Sequence, residues 1–256
     1  MNSNNFFTSE YEFKEGSLRE ISHAFETTAE KHVDSINRGR EYLKKYDLVW
    51  VVVRQSIEVL KMPESDEKAS VTTWAGIERH GLYPRRFIIK SSGGEIIVRA
   101  SSVWALMNFK TRTMTQDPDL IDRSTMVEDY DGGIKDPVSR IAFPKDRDYG
   151  SFEHFTTKDE IDNNNHVNNS IYFDWIDRMI LSRQFAAEAD SSGVAFSERW
   201  HKREYLKDGL LVWIEYSKEI HDNQTVRLEY TFDENRRLLI RGISNNEVCF
   251  TAALSY

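Results

Sequence analysis

Asp162-Asn163-Asn164-Asn165-His166-Val167-Asn168-Asn169-Ser170-Ile171-Tyr172-Phe173-Asp174-Trp175 is the stretch on which the reading of this chain turns. Its first eight residues hold an acid, a His and five amides. Asn side chains compete for the backbone's own hydrogen bonds, so such a run makes a poor helix or strand interior. It reads as an ordered loop. From Asn169 the pattern changes, because Ile171, Trp175, Met179 and Ile180 recur at helical spacing and predict a helix over about 169–188. Polar loops held on rigid scaffolds concentrate catalytic groups. Composition alone would equally suit an Asn-rich surface turn with an exposed His.

Working outward, the segments 196–206, 210–220, 224–233, 238–244 and 247–255 read as strands. Asp233-Glu234-Asn235 and Asn245-Asn246 form the turns between them. The first half has the same order. A strand around Tyr11-Glu12-Phe13-Lys14 precedes a helix over about 27–46, with Ala29, Val33, Ile36 and Leu43 inward. Strands at 48–53, 55–60, 69–77, 86–90 and 96–109 follow, and Ser91-Ser92-Gly93-Gly94 is a hairpin turn. Arg86-Phe87-Ile88-Ile89-Lys90 and its turn lie naturally beside Val226-Arg227-Leu228-Glu229-Tyr230 and the Asp233-Glu234-Asn235 turn. A helix followed by an antiparallel meander, twice over, predicts an α+β chain built by duplication. Two unrelated α+β domains are the plainer alternative. The boundaries expected are 1–128, a linker at 129–150 and 151–256. The stretch 117–150 carries Pro118, Pro137, Pro144 and a Gly132-Gly133 pair, with Ile141-Ala142-Phe143 pinning it to a surface.

The bulk numbers exclude several classes. A net charge of −8 argues against nucleic acid as the main partner, although Arg85-Arg86, Arg199 to Arg203 and Arg236-Arg237 could form local basic patches. No run approaches the ~20 apolar residues that span a bilayer. The N-terminus has neither a basic n-region nor an apolar h-region. With one cysteine, Cys249, no intramolecular disulfide can form, which fits the cytoplasm as the expected location. His154, His201 and His221 lack metal-ligand spacing and read as ordinary surface or strand residues, so no metal and no cofactor are expected.

Helix-then-meander, duplicated, with Asp162-x-Asn164-x-His166-Val167-Asn168-Asn169 opening the second helix, resembles the acyl-acyl-carrier-protein thioesterases. The resemblance runs from about residue 5 to 255, and the extended motif His166-Val167-Asn168-Asn169-x-x-Tyr172-x-x-Trp175 is fairly specific to that family. It implies a tandem (double) hot-dog fold, two long helices each wrapped by an antiparallel sheet. Plant members carry a transit peptide, so this chain resembles the bacterial branch. The implied activity is hydrolysis of fatty acyl thioesters on acyl carrier protein, an acidic partner. The implied catalytic set is Asp162, Asn164 and His166, with Glu204 as a second acid in a later strand. Tyr205 stands where plant members have a cysteine, which removes a thiolate nucleophile. Cys249, inside Val248-Cys249-Phe250, reads as a buried inert thiol. Val167, Asn168, Asn169, Tyr172 and Trp175 are the expected substrate-binding residues. Tyr172 and Trp175 also suit plain packing. Arg199, Lys202, Arg203 and Lys207 are the candidates for carrier docking.

Thioester hydrolysis needs an activated water, donors to the developing oxyanion and a proton for the leaving thiolate. Asp162 is favoured to activate the water, with Glu204 as competitor, and a His base remains open. Asn164 could orient the acid or the water, or donate to the oxyanion. Backbone N–H groups from Val167 to Asn169 are the expected oxyanion hole, at the positive end of the second helix dipole. The first half would shape the acyl tunnel. Its matching segment is expected at Asp34-Ser35-Ile36-Asn37-Arg38-Gly39, which lacks the His and the Asn pair. Alternatives on the same fold are an acyl-CoA thioesterase and a non-catalytic acyl-binding module; a hot-dog dehydratase would place its His and acid differently. A homodimer is compatible with all of these.

Overall fold

The computed structural model describes residues 5–115, 120–127, 134, 141–144, 148–182, 185 and 209–255. The strand expected over 196–206, with Arg199, His201, Lys202, Arg203 and Glu204, lies outside the described residues, as does Lys207. The chain forms two compact units, residues 1–16 with 23–137 and residues 17–22 with 138–256.

In the first unit, β1 (Phe7–Glu12) leads into α1 (Leu18–Ser35) and a short α2 (Arg40–Lys44). Four strands follow: β2 (Leu48–Val59), β3 (Lys68–Gly76), β4 (Leu82–Lys90) and β5 (Ile96–Asn108). Their order across the sheet is β1-β3-β4-β5-β2, all neighbours antiparallel. β6 (Thr113–Thr115) folds back on β5, and β7 (Met126–Val127) runs parallel to β3. The expected strands at 48–53 and 55–60 are one strand interrupted by a bulge between Val52 and Arg54. That extra residue explains why a continuous apolar run turns into an alternating one midway. The β4–β5 turn forms as expected, with Gly94 at φ +83 and Gly94 N–H donating to Ser91 O at 2.9 Å.

The first helix departs from expectation at both ends. It starts at Leu18 because Ser17 caps it, its Oγ accepting from Glu20 N–H at 3.2 Å. It ends in a Schellman motif: Asn37 takes φ 55, Arg38 N–H reaches Val33 O (2.8 Å) and Asn37 N–H reaches Asp34 O (2.9 Å). The helix lies on the sheet through Phe25 against Phe87 (4.6 Å) and His32 stacked on Phe7 (5.6 Å). Ile57, Val71, Ile89 and Val98 complete an interior with no exposed surface. Each such side chain contributes roughly 1.5–3 kcal/mol by leaving water.

The second unit repeats this plan. β8 (Gly150–Phe155) precedes α3 (Ile171–Ile180), followed by β9 (Leu210–Tyr216), β10 (Thr225–Phe232), β11 (Leu238–Ser244) and β12 (Glu247–Ser255). The order is β9-β12-β11-β10-β8, again antiparallel throughout. Position for position it matches β2-β5-β4-β3-β1, so the duplication is real and each unit is a helix packed on a five-stranded antiparallel sheet. The matching differs from the sequence alignment by one strand. The β4–β5 hairpin corresponds to β11–β12, not to β10–β11, because turn composition is degenerate while strand neighbours are not. The Asp34–Gly39 segment is also displaced: it is the C-terminal end of α1, whereas the counterpart of the Asn-rich loop is the β1–α1 connection. α3 packs through Tyr172, edge-on to Phe250 (4.9 Å) and Tyr216 (5.2 Å), with Trp175, Ile176 and Met179 fully buried. A Cβ at Gly242 would fall 1.9 Å from the Phe250 ring, so the close approach of that ring demands glycine there. Part of the expected linker is pinned as foreseen: Arg241 covers the rings of Phe143 and Tyr149 at 5.0 and 4.7 Å. Among the described residues no helix is long and apolar enough to cross a membrane.

Candidate active site

The β8–α3 connection has fifteen residues, 156–170, against five, 13–17, for its counterpart between β1 and α1. The whole Asn-rich motif sits in this longer connection. Its entry is a 3-10 turn, Lys158–Glu160, closed by Thr157 N–H donating to the Glu160 carboxylate at 3.0 Å. The chain then forms a miniature hairpin. Ile161 bridges Val167, Asp162 N–H donates to His166 O (2.8 Å), and Asn168 N–H donates to Glu160 O (2.9 Å). The tip turns because Asn165 accepts φ 65, with its N–H on Asp162 O at 3.0 Å. From outside, Val167 N–H donates to Ile220 O (2.8 Å) and His221 Nδ1–H to Asn165 O (2.7 Å).

This hairpin brings Asp162, Asn164 and His166 together. Asp162 Oδ1 accepts from Asn164 N–H at 2.7 Å, an Asx-turn, and Oδ2 accepts from Asn164 Nδ2 at 3.1 Å. His166 Nδ1 donates to Val167 O at 3.2 Å and lies 3.6 Å from Asp162 Oδ1. A carbonyl can only accept, so the proton of neutral His166 sits on Nδ1 and the lone pair is on Nε2. Both side chains are partly open, 15% for His166 and 18% for Asp162. An acid fixed by an amide, beside an imidazole of defined tautomer, can orient water and move a proton.

Of the three amides expected as oxyanion donors, Val167 and Asn168 are committed to Ile220 and Glu160. Asn169 N–H makes no such bond among the described residues, and it precedes α3, where the helix dipole favours negative charge. Asn168 instead builds the helix start, its Oδ1 accepting from Ser170 N–H (2.9 Å) and Ser170 Oγ (2.6 Å). Val167, Tyr172 and Trp175 are buried among core residues. Burial, with Cys249 and Asp162 nearby, pushes the Tyr172 phenol far above its usual range, so it stays protonated. Cys249 is buried, and burial followed by the Glu247 charge pushes its thiol up, away from a reactive thiolate. Among the described residues no three His, Cys, Asp or Glu side chains gather as a metal site.

Two residues escaped the sequence reading. Glu160 is 6% exposed and its carboxylate accepts from His154 Nε2 (2.9 Å) and Trp175 Nε1 (2.9 Å) as well as Thr157 N–H. Burial pushes the Glu160 carboxyl up, but the bonds from Trp175, Thr157 and His154 more than offset this and hold it below the usual carboxylate range. Of the two expected places, surface or strand, His154 takes the strand: it lies in β8, with its ring 5.0 Å from the Trp175 ring. Thr157-x-x-Glu160 is a capping-box pattern, the one sequence signal that could have drawn attention to Glu160.

Residues 9–122 match the family model of the acyl-ACP thioesterase N-terminal domain. A chloroplastic acyl-[acyl-carrier-protein] hydrolase of Cuphea viscosissima is 28% identical over 218 residues, 76% of this chain and 49% of the plant protein. A second one from the same plant is 30% identical over 187 residues, 67% of this chain and 45% of its own length. The chain therefore spans about half the length of the curated relatives it matches. An acyl-ACP thioesterase structure from Bacteroides thetaiotaomicron superposes with a TM-score of 0.78 at 20% identity, covering 99% of this chain and 98% of that one. The 12:0-ACP thioesterase from Umbellularia californica gives 0.74 at 18% identity, covering 100% and 98%. These likenesses fix the tandem hot-dog fold. The sequence matches place this chain in the acyl-acyl-carrier-protein thioesterase family.

Proposed function

We propose that this chain hydrolyses fatty acyl thioesters on acyl carrier protein, releasing the fatty acid and the free carrier thiol, and so ends fatty acid synthesis. The observation that carries this reading is the locked Asp162–Asn164–His166 turn, an acid and an imidazole prepared to activate water. Family membership supplies the thioester as substrate class. In this reading the first unit shapes the acyl pocket and the second carries the chemistry.

His166 is favoured over Asp162 as the proton acceptor, because both Asp162 oxygens already accept from Asn164 while the Nδ1–H bond to Val167 O leaves the imidazole lone pair on Nε2. Water attacks the thioester carbonyl carbon as its proton moves to His166 Nε2. Asp162 stabilises the imidazolium that forms. The oxyanion takes a bond from Asn169 N–H. The tetrahedral intermediate then collapses, the C–S bond breaks, and the imidazolium returns its proton to the departing sulfur. Glu204 is retained as a second acid of the site on the family pattern. Arg199, Lys202, Arg203 and Lys207 remain the proposed carrier-docking set.

The test is thiol release from acyl-carrier-protein and acyl-CoA carrying one acyl chain, with wild type, Asp162→Ala, His166→Ala and Glu204→Ala side by side. We expect preference for the carrier protein and a loss beyond ~100-fold in His166→Ala with the fold intact. Equal turnover of both carriers would move the assignment to an acyl-CoA thioesterase. Acyl binding without turnover would make the loop a binding feature and sink the hydrolase reading.

A further inference from the structure

We propose that Glu160, held by His154 and Trp175, is a positioning residue that sets the geometry of the Asp162–His166 loop. The inference rests on the hydrolase reading only for its kinetic consequence; the structural part stands without it. Glu160 joins four pieces of the second unit. Its carboxylate takes Nε2–H of His154 from β8, the indole N–H of Trp175 from α3, and Thr157 N–H from the loop entry. Its carbonyl takes Asn168 N–H, which closes the base of the hairpin one step outside the Ile161–Val167 bridge.

Each alternative role fails on the same geometry. Glu160 is 6% exposed and its acceptor positions face three donors, so it cannot serve as the base that meets water. Helix capping alone would need only Thr157. The further donors from β8 and α3 connect the two rigid elements that flank the loop. A bond on the shared carboxylate fixes their separation, and with it the spacing from which Asp162, Asn164 and His166 hang. A shift of about 1 Å in such a group is enough to cost ~100-fold in turnover.

Glu160→Gln is the discriminating change. The side chain keeps its size, but one acceptor oxygen becomes an NH2 that must face a donor. Turnover of acyl carrier protein should fall about 30- to 100-fold while KM stays within about threefold, since the substrate contacts are untouched. Amide hydrogen exchange supplies a readout that needs no activity. Protection of the Asp162 and Asn168 amides should drop at least about tenfold, while Ile240 and Ala252 in the sheet keep theirs. Trp175→Phe, which removes one donor, should give the same local pattern at smaller amplitude, and it serves if Glu160→Gln fails to fold. Unchanged turnover and unchanged protection would overturn the inference. So would a uniform loss of protection across β10–β12, which would make Glu160 a general stability residue. If the wild type hydrolyses no thioester but the loop amides still open in Glu160→Gln, the hydrolase reading falls and the positioning role stands.

Discussion

Asn164→Ala separates two roles by size. In the structure the Asn164 amide is spent on Asp162, with Nδ2 3.1 Å from Oδ2. A hydrogen bond to a charged group contributes about 1.5–3 kcal/mol when well shielded. Asn164 is exposed and Asp162 is 18% open, so water replaces part of the lost bond, and about 0.5–1.5 kcal/mol is the reasonable remainder. The 2.7 Å bond from the Asn164 backbone to Oδ1 survives the substitution. At ~1.36 kcal/mol per factor of ten, kcat/KM should fall about 2- to 13-fold. An amide that donates directly to the oxyanion would instead cost ~100- to 1000-fold. The assay is thiol release at substrate concentrations well below KM, with thermal unfolding of both proteins matched beforehand. A loss above 100-fold would refute the orienting role and place Asn164 against the reacting atoms. No loss at all would mean that the Oδ2 contact does not matter to the site.

Three other outcomes follow from the same packing. Gly242→Ala forces the Phe250 ring aside, an overpacking cost of about 1–3 kcal/mol, which should lower Tm by several degrees at ~2–4 °C per kcal/mol; an unchanged Tm would mean the ring relaxes freely. Glu160 has a folded pKa below its ordinary 4.5, so its ionisation stabilises the folded state above that value and the benefit is lost as pH falls through the folded pKa. The stability gap between wild type and Glu160→Gln should therefore shrink on acidification below about 4.5, and a gap that widens there would reverse the sign of the argument. Cys249→Ala should keep kcat within about twofold and wild-type Cys249 should resist alkylation in the native state; rapid labelling with loss of activity would restore a thiolate mechanism.

Much of the fold was legible. The bounds of β11 and β12 agree with the alternating patterns at 238–244 and 247–255, because those strands are flanked by unambiguous turn residues. The start of α1 was written in Ser17-Leu18-Arg19-Glu20, a capping box that apolar spacing alone passed over. β8 carried too little apolar pattern to be read, since it is half exposed and takes its identity from pairing with β10. The one-strand slip in the internal repeat came from matching turns, which many sequences satisfy, instead of neighbours, which only the fold defines. In the site, Asp162, Asn164 and His166 were legible because a five-residue turn brings together what the sequence already places together. Glu160 and His154 were not, because six residues of chain and a change of element separate them, and their meeting depends on where Trp175 arrives.

β8 and the loop that follows it are made early but supported late. Phe155 pairs with Thr225, seventy residues further on, and the outer clamps of the loop come from Ile220 and His221. On a ribosome, where the chain emerges from its N-terminus, the hairpin can close locally as soon as residue 168 is free. Its scaffold cannot exist until β10 has emerged. A nascent chain stopped before residue 220 would hold every group of the Asp162–His166 turn but neither of its outer clamps, Ile220 O and His221. Competence would then appear abruptly, with the last seventh of the polypeptide.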